Sequence, residues 1–116
     1  AMLAEGRALP APDYAAAVRG RERYAAGIDE LFERFDVIVT PAVRGEAPEG
    51  LGATGDPVFC TPWTYLGLPA VTLPLLVGAN GLPIGVQLVG RRDDDARLLR
   101  TARWLVERLR EASSDA

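Results

Sequence analysis

Ala70-Val71-Thr72-Leu73-Pro74-Leu75-Leu76-Val77, then Gly78-Ala79-Asn80-Gly81, then Leu82-Pro83-Ile84-Gly85-Val86-Gln87-Leu88-Val89 is the stretch that decides the fold. Two apolar, β-branched runs flank an Asn-Gly pair, a strong short-range signal for a tight turn between antiparallel strands. The reading is a hairpin of strands over residues 70–77 and 84–89.

Outward from the hairpin, Asp94 to Ala112 reads as a helix. Acidic residues at its start suit the helix dipole, and Leu98, Ala102, Leu105, Val106 and Leu109 make one apolar stripe. Residues 113–116 read as a frayed tail. On the other side, Asp56 to Leu66 predicts a short helix with Asp56 as cap and Pro57 at its first position, and Pro62 inside it implies a kink. Ala42 to Gly55, rich in glycine, reads as a loop. Val37 to Pro41 is a short run without polar alternation, which predicts a strand covered on both faces and ended by Pro41.

Residues 1–12 form a lead-in, in which Leu3 to Arg7 reads like the end of a helix. Asp13 to Phe35 predicts a long helix punctuated by Pro10 and Pro12, with its buried stripe through Ala17, Tyr24, Ile28, Leu31, Phe32 and Phe35. Gly20 and Gly27 inside it predict close packing against a neighbour. The fold class is α/β: a partial mixed sheet of about three strands with a C-terminal antiparallel hairpin, two long helices and one short irregular one, all within one domain of 116 residues.

Composition narrows the chemistry. The chain has no histidine and no lysine, so all thirteen of its cationic side chains are arginine and its formal charge is −3. No basic stripe is dense enough for a phosphate backbone, which argues against nucleic acid as a partner. The single cysteine, Cys60, excludes an internal disulfide and points to a reducing compartment, the cytoplasm. No run approaches the roughly 20 apolar residues of a membrane span, so no membrane partner is expected. The first residues lack the pattern of a secretory signal.

Serine and cysteine nucleophiles need a base or a neighbouring cation, and neither histidine nor lysine is present to serve. Cys60 has Phe59, Thr61, Pro62 and Trp63 as neighbours, none of which stabilises a thiolate. The only serines are Ser113 and Ser114. Asp93, Asp94 and Asp95 suggest a hard cation at first sight, but consecutive residues at a helix start diverge, and capping is the better reading. The glycines of residues 78–85 lack the spacing and the lysine of a phosphate loop. No catalytic, cofactor-binding or metal-binding residue is assigned. Trp63 and Tyr65, with Thr61 and Thr64, are read as core or as a pocket wall.

Three stretches in order carry a more specific resemblance: Tyr14-Ala15-Ala16-Ala17 with Arg21 ahead of Phe35-Asp36-Val37-Ile38-Val39-Thr40-Pro41; Trp63-Thr64-Tyr65-Leu66-Gly67-Leu68-Pro69-Ala70-Val71-Thr72-Leu73-Pro74; and Asn80-Gly81-Leu82-Pro83-Ile84-Gly85-Val86-Gln87-Leu88-Val89-Gly90. Together they resemble the C-terminal part of the amidase signature family. The resemblance implies a larger α/β domain with a mixed sheet, amide C–N hydrolysis by acyl transfer, and a catalytic lysine with two serines in a region not found in this chain. It implies no cofactor. The expectation is a truncated C-terminal segment, inactive alone, whose stretch Pro57 to Tyr65 borders the substrate cavity, with Cys60, Trp63 and Thr64 as the candidates. The alternative is a binding or assembly module. Open strand edges and an apolar face then predict self-association as a homodimer, or pairing with a chain that carries the missing catalytic half.

Overall fold

A computed structural model describes residues 2–114. The elements run α1 (Met2–Ala8), α2 (Ala11–Phe32), β1 (Ile38–Pro41), a 3-10 turn (Pro57–Phe59), α3 (Thr61–Leu66), β2 (Ala70–Val77), β3 (Pro83–Val89) and α4 (Asp95–Ser114). The α/β class and the three-stranded sheet are as expected from the sequence. Strand order is β1-β3-β2, and both pairings are antiparallel, so these three strands do not themselves make the mixed sheet that the resemblance implies.

The Asn80-Gly81 turn closes the hairpin. Gly81 adopts φ +79°, a left-handed conformation suited to glycine, and the Gly78 N–H donates to the Leu82 carbonyl at 2.9 Å. The β2–β3 register slips between Leu73 and Leu76, at the bulge next to Pro74, whose missing N–H cannot serve the ladder.

Because successive strand residues point to opposite faces, Leu88 and Val89 anchor two different cores. Leu88 packs with Leu98 and Ala102 of α4, and Val71, Leu73 and Leu105 border them. On the other face, Val89 packs with Ala25 and Phe32 of α2 and with Leu66 and Leu68, bordered by Ile28, Ile38 and Trp63. Leu88 and Val89 are 1% and 0% exposed, the most deeply buried large side chains.

Several expectations change. The buried stripe of α2 runs through Ala25, Ile28 and Phe32, while Tyr24, Leu31 and Phe35 stay exposed. Phe35 lies beyond α2, which ends at Phe32 and not at the expected Phe35. Within the helix Tyr24 and Leu31 share a stripe with Ile28, but the sheet packs on the side of Ala25 and Phe32, about 100° round from Tyr24. A Cβ at Gly27 would meet nothing, so this is not a close-packing site, and Gly20 has only ordinary contacts with Tyr65 and Tyr24. β1 is covered on one face only, since Val39 is 58% exposed. The expected tail at Ser113 and Ser114 is helical, while residues 115 and 116 lie outside the described residues.

The predicted short helix over residues 56–66 divides at Cys60. Asp56 accepts the Val58 N–H at 3.0 Å and Pro57 starts the 3-10 turn. Pro62 then sits in the first turn of α3 rather than kinking a longer helix, because there its missing N–H has no helical partner to lose. Gly67 ends α3 with φ +69°, and the Leu68 N–H returns to the Trp63 carbonyl at 2.9 Å. Asp93 and Asp94 serve the start of α4: Asp93 takes a left-handed turn at φ +61°, and the Asp94 carbonyl accepts the N–H groups of Arg97 and Leu98.

Candidate functional site

Three depressions adjoin the stretch Pro57 to Tyr65, a smaller one of about 460 Å³ lined by Asp56, Pro57, Val58, Thr61, Pro62 and Tyr65, and two larger ones. Of the larger two, the first, about 510 Å³, is lined by Val39 and Pro41 of β1, Ile84 and Val86 of β3, Leu76 of β2 and, from the short turn, Phe59. The second, about 520 Å³, lies between α2 and α3 and is lined by Tyr24, Ile28, Pro62, Trp63, Tyr65 and Leu66. Both are wide, apolar and open to solvent.

Of the three candidate residues, the structure brings only Trp63 to a depression. It is half-buried beside the α2 core, and its indole N–H is buried without an acceptor, at a cost of about 1–3 kcal/mol. Thr64 is exposed and lines none of the three. Cys60 also lines none; it is half-buried at the joint between the 3-10 turn and α3, its thiol 3.4 Å from the Ala42 carbonyl and 3.5 Å from Gln87 Oε1.

Sequence reasoning missed Gln87. It is 4% exposed and, among the described residues, the one buried polar side chain. Its amide nitrogen donates to Thr40 Oγ1 at 3.2 Å and to the Phe59 carbonyl at 3.0 Å, and its oxygen faces the Cys60 thiol. The available signal was a lone polar residue within an otherwise apolar strand, Val86-Gln87-Leu88.

Glu46 is a second residue that sequence reasoning passed over. From the glycine-rich loop it grips the hairpin turn: Oε1 accepts the N–H groups of Asn80 and Leu82 at 2.9 and 3.1 Å, and Oε2 accepts the Asn80 side-chain amide at 2.6 Å. Gly78 leaves the room for it, since a Cβ there would fall on the Glu46 side chain. Partial loss of water pulls the carboxyl upward, but the three hydrogen bonds from Asn80 and Leu82 outweigh this and hold it below the usual carboxylate range.

The sign of the linkage follows from that depression. Whatever stability the contact contributes is present above the ordinary carboxylate value of 4.5 and is lost as pH falls through the lower folded value. Amide exchange at Asn80 and Leu82 should therefore stay protected at pH 4.5 and lose protection only below it. In Glu46→Gln an amide nitrogen would face donors, and trypsin cleavage after Arg44 should quicken by about threefold or more as the loop is released.

Neither larger depression holds a nucleophile beside a base. What the geometry defines is an α/β piece that presents apolar wall and strand edges, with reactive groups tied into its own framework. The Amidase family profile matches residues 1–99, and the chain belongs to the amidase family. It is 38% identical over 112 residues to a fatty acid amide hydrolase of Medicago truncatula, covering 86% of this chain and 18% of that protein. One of the subunits of the glutamyl-tRNA(Gln) amidotransferase of Thermotoga maritima is 33% identical over 94 residues, covering 75% of this chain and 19% of that protein. A crystal structure of an amidase superposes with a TM-score of 0.81 at 28% identity, covering 91% of this chain and 27% of that one. The chain thus spans about a fifth of the length of these curated relatives.

Proposed function

We propose that this chain supplies wall and scaffold to an amide-hydrolysing site whose nucleophile and base come from residues outside these 116, and that it hydrolyses no amide alone. The observation that carries this is the lack of any histidine or lysine. The serines support it: the Ser113 and Ser114 hydroxyls donate to the Leu109 and Arg110 carbonyls one turn back in α4, each at 2.9 Å. The substrate class is the amide C–N bond, which is common to relatives named for fatty acid amides and for a cyclic 6-aminohexanoate dimer. Pro57 to Tyr65 would form the border of the cavity, through Phe59 and Trp63 more than Cys60 or Thr64.

Shape supports a companion surface. A compact protein of 12.4 kDa would expose about 6,100 Å², whereas this chain exposes 8788 Å². Its radius of gyration is 17.5 Å, against about 13 Å for a compact chain of this length. Exposed Tyr24, Leu31, Phe35, Val39 and Leu76 contribute to that surplus. The second reading, an assembly module that pairs with itself or with a chain carrying the catalytic half, rests on this area. A reducing, cytoplasmic setting accompanies both readings on the strength of the lone Cys60; among the described residues, no helix is long and apolar enough to cross a membrane.

The test is complementation. The chain is mixed with a polypeptide carrying the lysine and the Gly/Ser-rich segment of an amidase relative but lacking its C-terminal region. Amide hydrolysis should arise only in the mixture. Turnover by this chain alone would refute the first reading, and a homodimer in light scattering that blocks complementation would favour the second.

A further inference from the structure

The two ends of the stretch Pro57 to Tyr65 are held by different forces. At its far end Leu66 and Leu68 are buried in the α2 core, and the Arg92 guanidinium donates to the Leu66 carbonyl at 2.6 Å. At its near end the 3-10 turn buries no residue. Phe59 and Cys60 are only half-buried there, so polar contacts share in fixing that end.

Those contacts converge on one side chain. Gln87 lies opposite Thr40 in the β1–β3 register, and its carboxamide joins Thr40 on β1, the Phe59 carbonyl on the turn and the Cys60 thiol at the joint. Removing the carboxamide would leave the Phe59 carbonyl without this donor and the thiol with only the Ala42 carbonyl beside it. We propose that Gln87 is a positioning residue that sets where the Phe59–Cys60 joint, and with it the near end of the Pro57–Tyr65 wall, lies against the sheet. This rests on the reading of that stretch as a cavity wall for its functional meaning, but its geometry is tested without any turnover.

Cys60 is the only thiol, so its reaction with an aromatic disulfide reagent reports on the joint alone. In the full chain, Gln87→Leu should raise the Cys60 labelling rate by at least about tenfold with far-UV circular dichroism unchanged, the scale of one lost hydrogen bond to a buried group. Thr40→Val removes a strand contact of Gln87 but leaves its bond to Phe59, and should change the rate by less than about threefold. Gln87→Asn, which keeps the amide on a shorter arm, replaces the leucine variant if that one unfolds, and should again free Cys60.

Unchanged labelling in a folded Gln87 variant would overturn the proposal. So would equal acceleration by Thr40→Val, which would show general loosening of the sheet, or unfolding of both Gln87 variants, which would make Gln87 a support of the sheet as a whole. Failure of complementation leaves these rates as they are, so the two readings fail separately.

Discussion

Phe32→Ala should be the most damaging single substitution in this chain, lowering unfolding stability by about 3–5 kcal/mol. Phe32 is 5% exposed and is the largest side chain in the cluster that joins α2 to Leu66, Leu68 and Val89. The sheet is only three strands wide, so few neighbours can collapse into the space left behind. Since small proteins are stable by only about 5–15 kcal/mol in all, this loss should shift the urea midpoint far to the left. Hydrogen exchange should show α2 and α3 opening first, with α4 less affected.

Leu88→Ala should cost about 2–5 kcal/mol but release the opposite layer. Leu88 is 1% exposed and meets Leu98 and Ala102 of α4. Exchange should then rise first in α4. The two substitutions sit on different faces of the sheet, so equal loosening of both layers by either one would contradict the division into two cores.

Much of this fold was legible in the sequence, and the reason is local chemistry. Asn80-Gly81 specifies its turn through the positive φ that glycine accepts, Asp56-Pro57 marks a helical start, and the stripe of α4 holds through Leu98, Ala102, Leu105 and Val106, although Leu109 at its end is exposed. The misreadings share a cause: they concern which apolar face finds a partner. In α2, Tyr24 and Leu31 lie on a regular stripe with Ile28, yet the sheet meets Ala25, Ile28 and Phe32. In β1, the lack of alternation implied two covered faces, and Val39 lacks a cover among the described residues. Burial is decided by tertiary neighbours that a periodicity does not contain.

For the candidate site the sequence points to a segment, Pro57 to Tyr65, whose bordering of a substrate cavity belongs to the proposed function. The segment lines the two larger depressions through Phe59, Pro62, Trp63 and Tyr65, while Thr64 is exposed outside them and Cys60 is hydrogen-bonded to Gln87. Gln87 and Glu46 went unread because each acts across more than 25 residues of sequence, where no spacing rule applies. Several of their partners are backbone groups, the Phe59 carbonyl for Gln87 and the Asn80 and Leu82 N–H groups for Glu46, which carry no residue signature.

Under the proposed function, no side chain in these 116 residues is an activated acyl nucleophile. Intact mass measurement after exposure to a fluorophosphonate, which phosphonylates only activated hydroxyls at low concentration, tests it most directly. The chain should keep its unmodified mass under conditions that fully label a complete amidase. A single phosphonyl adduct on the folded chain, lost on denaturation before treatment, would contradict the claim.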